Sequence, residues 1–219
     1  VGAERLEAGN RAALLLSGDA ASVKKGDTLA APGSMVLTDR ADVHLALLAD
    51  SPFSVRHGAQ LRLHHGAAAL TCRCVFFDRA ELLPGETCFA QLRLAAPMAA
   101  RMGDRFVVRS LSPAATVGGG VLLDLSPRHK KKDPGLAERL SALASPDPLR
   151  RMAAALELHA FPQTLEALAM AAGLSPAEGQ AALDALARTE KAVPLGEFWL
   201  SASAMEALAR RAAELLDGW

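Results

Sequence analysis

The stretch from Gly103 to Lys132 constrains the fold more than any other part of the sequence. It predicts a strand Arg105–Arg109 after a Gly-Asp turn, then a polar loop and a second strand Gly120–Leu125. Three glycines, Gly118–Gly120, stand where the second strand is expected to begin, which indicates a positive φ, a bulge or a closely approaching backbone. Because strand-like sequence precedes this stretch and helix-like sequence follows it, we predict a β part and then an α part.

Six strand-like segments, separated by turn signals such as Ala96-Pro97, fill the region between residues 34 and 125. No helical period interrupts them, so they predict a closed antiparallel barrel. The predicted strands are Val43–Leu48, Gln60–His64, Ala69–Phe77, Thr87–Leu94, Arg105–Ser110 and Val121–Leu125. Upstream, Arg11–Leu16 and Lys24–Leu29 predict two more strands, which are too few for a second barrel and are interpreted as the end of one.

The hydrophobic period becomes helical after Asp133. The predicted elements are helices Leu140–Ala144, Pro148–His159, Thr164–Ala172 and Pro176–Thr189, then short strands Ala192–Leu195 and Glu197–Leu200. A capping box at Ser175 and Glu178 opens the fourth helix, and a second box at Ser203 and Glu206 predicts a last helix. A helix, a helix-turn-helix and a two-stranded wing in this order predict a winged helix.

The predicted fold class is therefore multidomain, β plus α, with an antiparallel barrel followed by a winged-helix domain. The expected domains are the remnant of a second barrel at 1–33, the complete barrel at 34–126, a basic linker at 127–136, the winged helix at 137–200 and the truncated start of a second winged helix at 201–219. Because the chain begins with Val1 rather than Met, we expect a fragment of a longer protein.

Charge is divided unevenly although the formal net charge is zero. Up to Asp133 there are 17 basic and 13 acidic residues, and after it there are 7 and 11, which gives +4 and −4. A polyanionic partner is therefore expected to meet the first part of the chain. Three cysteines make a poor disulfide framework and favour a reducing, cytoplasmic location, and no apolar run approaches the roughly 18 residues of a membrane span.

The sequence contains no recognisable catalytic constellation. Cys72 and Cys74 lie two residues apart on one face of a predicted strand, which favours buried thiols over a zinc site because no second ligand pair follows at suitable spacing. A G-x-x-x-x-G-K-[ST] phosphate loop is also missing from the sequence. We therefore expect neither enzymatic activity nor a bound cofactor or metal in these residues.

Two features of the sequence bear on nucleic-acid binding, the predicted helix-turn-helix and the basic run before Asp133. The predicted groove-facing helix carries Glu178 and Asp184, which disfavours DNA reading because acids repel phosphates. The basic run Arg128–Lys132 is compatible with a solvated linker and with contact to RNA phosphates.

Several motifs together resemble the selenocysteine-specific translation elongation factors of bacteria. They are AGNRAALLLSG with KKGDTL, QLRLHHGAAALTCRCVFF, LLPGETCFAQLRL, GDRFVVRS and TVGGGVLLDLSPRHKKK, and the last is also similar to the third domain of elongation factor Tu. The resemblance implies the end of the second domain, the complete third barrel, a linker and a winged helix. In that family a GTPase that uses GTP and magnesium precedes these parts, and later winged helices bind a messenger RNA hairpin.

The resemblance further implies that the barrel contacts the acceptor and T stem of selenocysteinyl-tRNA, and that ribosome and messenger RNA are met through other parts of a monomeric longer protein. The expected RNA-binding residues are Arg109, Ser110, Ser112, Thr116, Gly118, Gly119, Arg128, Lys130, Lys131, Lys132, His64, His65 and Arg73. The alternatives are a DNA-binding winged-helix regulator with a β effector domain and a structural interaction module.

Overall fold

The computed structural model describes residues 20–129 and 133–217, together with residues 13, 15 and 17. A short 3-10 helix spans Ala20–Ser22, and the strands that follow it are β1 (Val36–Leu47), β2 (Val55–Arg56), β3 (Gln60–His65), β4 (Ala68–Phe76), β5 (Glu81–Leu82), β6 (Thr87–Ala100), β7 (Arg105–Ser110) and β8 (Thr116–Asp124). Six of these strands close into an antiparallel barrel in the order β1-β6-β4-β3-β7-β8, and β2 pairs with β5. The predicted six-stranded barrel is confirmed.

Alternating side chains fill the barrel interior, most regularly in β3 and β4. Inward positions along the strands are mostly aliphatic or cysteine, with Phe76, Met98 and Phe106 among them, while the residues between them point outward. The largest fully buried interior side chains include Leu45, Leu63, Leu82, Leu92 and Leu122. Burying such side chains is worth roughly 1.5–3 kcal/mol each relative to leaving them exposed, so the alternation stabilises the barrel directly.

The cysteines are part of this interior. Cys72, Cys74 and Cys88 are free and buried, as predicted for the first two. Burial raises the pKa of Cys72 and of Cys88 to about 11, and burial is also the largest cause of the raised pKa of Cys74. Because only the thiolate reacts readily, these thiols behave as small apolar side chains in the folded protein.

Three strands are longer than the sequence indicated. β1 begins at Val36 rather than Val43, and β8 begins at Thr116 rather than Gly120. The predicted turn at Ala96-Pro97 is wrong, because β6 continues to Ala100 through a register shift opposite Asp39. A proline, which has no N–H to donate, is tolerated at such an irregularity.

The segment before the barrel is only partly described. The turn at Lys24–Asp27 is present, closed by a hydrogen bond from the Asp27 N–H to the Lys24 carbonyl oxygen (3.1 Å). The predicted strand Lys24–Leu29 is wrong, since no described strand pairs with it. The predicted strand Arg11–Leu16 lies largely outside the described residues, so it stays a prediction.

The remaining elements form what we call the helical module. They are α1 (Leu136–Leu143), α2 (Pro148–Leu158), β9 (Gln163–Thr164), α3 (Leu165–Ala171), α4 (Pro176–Arg188), β10 (Ala192–Leu195), β11 (Phe198–Ser201) and α5 (Ala202–Asp217). The strands form one sheet in the order β10-β11-β9, so the predicted order of helices and hairpin is present, while the division into domains stays a prediction. None of the described helices is long and apolar enough to cross a membrane.

Helix caps explain the ends of the module's helices. Ser175 and Glu178 form the predicted capping box of α4, and Gly173, with φ of 62°, follows the end of α3. The second predicted box is wrong, because the Ser203 hydroxyl donates to the Glu157 carboxylate. The Ser201 hydroxyl accepts the Ala204 N–H instead, so α5 begins at Ala202, two residues earlier than the box required.

The helical module packs on one side of the barrel. Leu123 of β8 points outward into the module's core, beside Leu136 and Leu140 of α1, and Phe89 and Val121 pack against the same cluster. The outward side of β1 and β8 is therefore covered. The outward residues of β3, β4 and β7 lie on the other side of the ring, away from this core.

Candidate nucleic-acid interface

The loop between β7 and β8 is held by one serine. The Ser110 hydroxyl donates to the Pro113 carbonyl oxygen and accepts the Ala115 N–H at 3.0 Å, and the Ser110 N–H donates to the Ala115 carbonyl oxygen at 2.9 Å. This hydroxyl is consequently engaged within the loop. Ser112 and Thr116 are exposed, so they are the polar side chains that the loop presents to solvent.

The glycine triplet is explained by barrel closure. Of the conformations that the sequence allowed, a positive φ is absent from all three glycines, while close backbone approach is present. A Cβ at Gly118 or Gly120 would overlap the carbonyl oxygens of Ala46 and His44, and at Gly119 it would lie 2.5 Å from the Phe106 carbonyl oxygen. The space that the glycines leave is occupied by β1 and β7, so their contact with nucleic acid stays a prediction.

Arg73 and Arg109 both lie on the outer wall of the barrel. Arg73 stands between buried Cys72 and Cys74, so its side chain points away from the interior. Arg109 is half-buried, and its Nε has no hydrogen-bond partner among the described atoms. Both lie on the outer wall of the barrel, and their contact with RNA stays a prediction.

The two predicted histidines occupy different environments. His64 pairs across the sheet with Val107 and shares the outer face of β3, and its Nε2 has no described hydrogen-bond partner. His65 instead has its Nε2 2.9 Å from an Asp104 carboxylate oxygen, at the end of β7 opposite the loop. His65 is therefore engaged within the barrel.

The described part of the basic linker is fixed against the protein. The His129 side chain is only 7% exposed, with its Nε2 2.6 Å from an Asp42 carboxylate oxygen and its ring edge-on to Phe77 at 5.4 Å. The Arg128 guanidinium lies 4.8 Å from the centre of the Phe161 ring, a cation–π distance. Lys130, Lys131 and Lys132 lie outside the described residues, so their contact with RNA stays a prediction.

A polar cluster joins the barrel to the helical module. Asp42 accepts a hydrogen bond from Gln91 (3.1 Å) as well as contacting His129, and it is paired across the sheet with Asp124. Burial raises the pKa of Asp124, whose carboxylate accepts the Ser126 N–H at 2.8 Å, and burial lowers the pKa of neighbouring His159. The contact between barrel and helical module therefore buries ionisable groups and shifts their pKa values.

The structure thus brings only part of the predicted set together. Arg109, Ser112 and Thr116 gather at the loop between β7 and β8, with Arg73 on the wall beside them, whereas His65 and Arg128 lie near the other end of the barrel. Sequence reasoning missed Arg62 and Arg93, which stand on the same outer wall as Arg73. Their alternation with Leu61, Leu63 and Leu92 was the signal that could have revealed them.

Comparison with known proteins agrees with this geometry. The family described as selenocysteine-specific elongation factor, beta-barrel domain, matches residues 38–129, which are the closed barrel with the start of the linker. The rest of the chain is not covered by this match.

Two relatives extend the likeness beyond the barrel. A selenocysteine-specific elongation factor of Desulfomicrobium baculatum is 35% identical over 144 residues, which are 65% of this chain and 23% of that protein. The crystal structure of bacterial selenocysteine-specific elongation factor EF-Sec matches 85% of this chain and 28% of that chain, with a TM-score of 0.62 and 17% identity, and it supports the fold. The chain thus spans about a quarter of the length of the relatives that it matches.

Proposed function

We propose that this chain supplies the tRNA-contacting barrel of a selenocysteine-specific elongation factor and the module that joins it to messenger-binding parts. The observation that carries the proposal is the match of residues 38–129 to the barrel domain of that family. The exposed loop with Ser112 and Thr116, next to Arg109, supplies hydroxyl donors and a cation at one edge of that barrel. Such groups position an RNA backbone without reading bases.

The helical module is the weaker partner for nucleic acid in this proposal. Its α4 exposes Glu178 and Asp184, and Gln180 donates a hydrogen bond to Asp184 (2.8 Å), so acidic side chains outnumber the single cation of the helix, Arg188. An acidic helix repels a phosphate backbone, and we assign the module a connecting role. In the longer protein, GTP with magnesium, the ribosome and the messenger RNA hairpin would be bound by other parts.

Binding of the chain to selenocysteine tRNA and to duplex DNA, measured over a range of salt concentrations, tests this proposal. We expect tighter binding to the tRNA, with an affinity that falls as salt rises because counterions are released from neutralised phosphates. Arg109→Ala should weaken tRNA binding several-fold, whereas Arg188→Ala, an exposed arginine on α4, should leave it unchanged. Equal affinity for DNA and tRNA, or loss of DNA binding in the Arg188 variant, would instead support the DNA-binding regulator.

A further inference from the structure

Four neighbouring barrel strands contain no acidic residue. The strands β6, β4, β3 and β7 are contiguous in the ring, and neither aspartate nor glutamate occurs in any of them. Barrel-wall acids occur in β1 and β8, where Asp42 and Asp124 are buried and Asp39 is exposed. The open wall carries arginines, and we call four of them the arginine face: Arg62, Arg73, Arg93 and Arg109.

The strand register places these arginines next to one another. Arg62 of β3 is directly opposite Arg109 of β7, and Arg73 of β4 is directly opposite Arg93 of β6. Arg62 faces Thr71, two residues before Arg73 on the same side of β4, so the two pairs are adjacent. Directly opposite residues share one face of a sheet, so all four guanidinium groups leave the barrel on its outer side.

Nothing acidic within the described chain neutralises this face. None of the four arginines has an ion pair with a described residue, although Arg93 donates its Nε to the Gln91 side-chain oxygen at 3.0 Å. Gln91 in turn stands between Arg93 and the buried Asp42 carboxylate. Arg40 continues the row on β1 but is paired with Asp39, so we leave it outside the face.

Each of the two pairs places two positive charges directly opposite each other on neighbouring strands. Like charges in this position repel and destabilise the barrel. A face of this kind is explained more simply by an anionic ligand than by stability. Because strands lie about 4.8 Å apart, four of them spread the guanidinium groups over roughly 14 Å, several times the reach of a small anion. A planar guanidinium also forms paired hydrogen bonds with phosphate oxygens, which suits an extended phosphodiester backbone.

We propose that the arginine face binds the phosphate backbone of a duplex RNA stem and extends the contact that begins at the loop between β7 and β8. This inference rests on the proposed function and adds Arg62 and Arg93 to it. Arg62, Arg73 and Arg93 are exposed and Arg109 is half-buried, so the helical module leaves the face accessible. Arginines on regular strands, without a base-reading loop among them, recognise the duplex by shape and charge.

Charge reversal of the two newly assigned arginines tests the inference. The variant Arg62→Glu/Arg93→Glu is compared with Arg150→Glu/Arg188→Glu, which changes the net charge equally at exposed positions of the helical module. Binding to a short mixed-sequence RNA duplex and to selenocysteine tRNA is measured across salt. We expect the first variant to lose at least tenfold in affinity and about 1.8 units of log–log salt slope, at roughly 0.9 per phosphate contact, and the control to lose neither.

The milder variant Arg62→Gln/Arg93→Gln keeps the test decisive if charge reversal disturbs folding, and it should lose the same salt slope. Unchanged slopes in a folded variant that still prefers tRNA to DNA would overturn the arginine face and leave the proposed function standing. Duplex RNA binding that depends on the face, without any preference for tRNA over DNA, would keep the face and sink the proposed function. Binding to an acidic polypeptide but not to RNA would overturn the inference in favour of a protein partner.

Discussion

The two sides of the barrel wall differ in what covers their outward residues. On the side of β1 and β8, the outward residues meet the helical module, and they include aliphatic side chains and the buried acids Asp42 and Asp124. On the side of β3, β4 and β7 they meet solvent, and they include arginines. One alternating pattern thus produces a dry junction on one side and a cationic surface on the other. Whether an outward strand residue is apolar or charged thus depends on whether the helical module or solvent lies against it.

The largest expected effect lies on the covered side, at the glycine triplet. In Gly120→Val the new side chain would overlap the His44 carbonyl oxygen of β1, which is backbone and cannot move aside without opening the barrel. We expect loss of the cooperative unfolding transition, monitored by circular dichroism during urea titration, because such overpacking costs several kcal/mol.

Gly66→Ala is the matched control for this position. Gly66 has φ of 52° with open space around it, so an added methyl strains the turn without meeting any atom. It should cost about 1 kcal/mol and leave a cooperative transition. A folded Gly120→Val protein would contradict the close strand approach.

Asp42 and Asp39 offer a comparison between a buried and an exposed acid on one strand. Asp42→Ala removes the partner of His129 and of Gln91 at a fully buried site, so it should lower the free energy of unfolding by about 3 kcal/mol. Asp39→Ala breaks an exposed pair with Arg40 and should cost less than about 1 kcal/mol. Chemical denaturation measures both changes in the free energy of unfolding. Equal changes would show that the buried contacts of Asp42 stabilise the protein no more than the exposed pair of Asp39 does.

A smaller effect is expected from pH at the same junction. Burial lowers the pKa of His159, which faces Asp124 and Arg128, so the unfolded chain takes up a proton below about pH 6.5 that the folded chain resists. The free energy of unfolding should therefore fall as the pH drops through 6.5. His159→Gln should flatten this dependence, and His57→Gln, at an exposed position of the barrel, should retain it. A steeper dependence in the His159 variant would contradict the assignment.

Asp124 contributes with the opposite sign. Its pKa is raised by burial, so the folded chain holds the proton to a higher pH than the ordinary value of 3.8, and ionisation costs stability as the pH rises. The two groups therefore oppose each other, and the His159 variant isolates one of them.

Local pattern was enough to predict the barrel and the order of the helices. Alternation placed Cys72 and Cys74 on one face of β4, and the capping box located the start of α4. Such signals lie within a few residues of each other. They are readable without knowledge of the tertiary structure.

What the sequence could not predict depends on distant partners. The start of β1 was missed because Asp42 breaks the apolar pattern, and its burial is explained only by His129, 87 residues away. Pro97 suggested a turn because the register shift that accommodates it is a property of two strands. Likewise Arg62 and Arg93 are unremarkable in single strands, and the register alone turns them into a face.

Arginine modification with phenylglyoxal, quantified by mass spectrometry with and without selenocysteine tRNA, tests the central claim most directly. The claim is that the open side of the barrel is the RNA-binding side. We predict that tRNA protects Arg62, Arg73 and Arg93 strongly while the exposed Arg150 and Arg188 of the helical module react at unchanged rates. Protection confined to the helical module, or equal protection of both groups, would contradict the account.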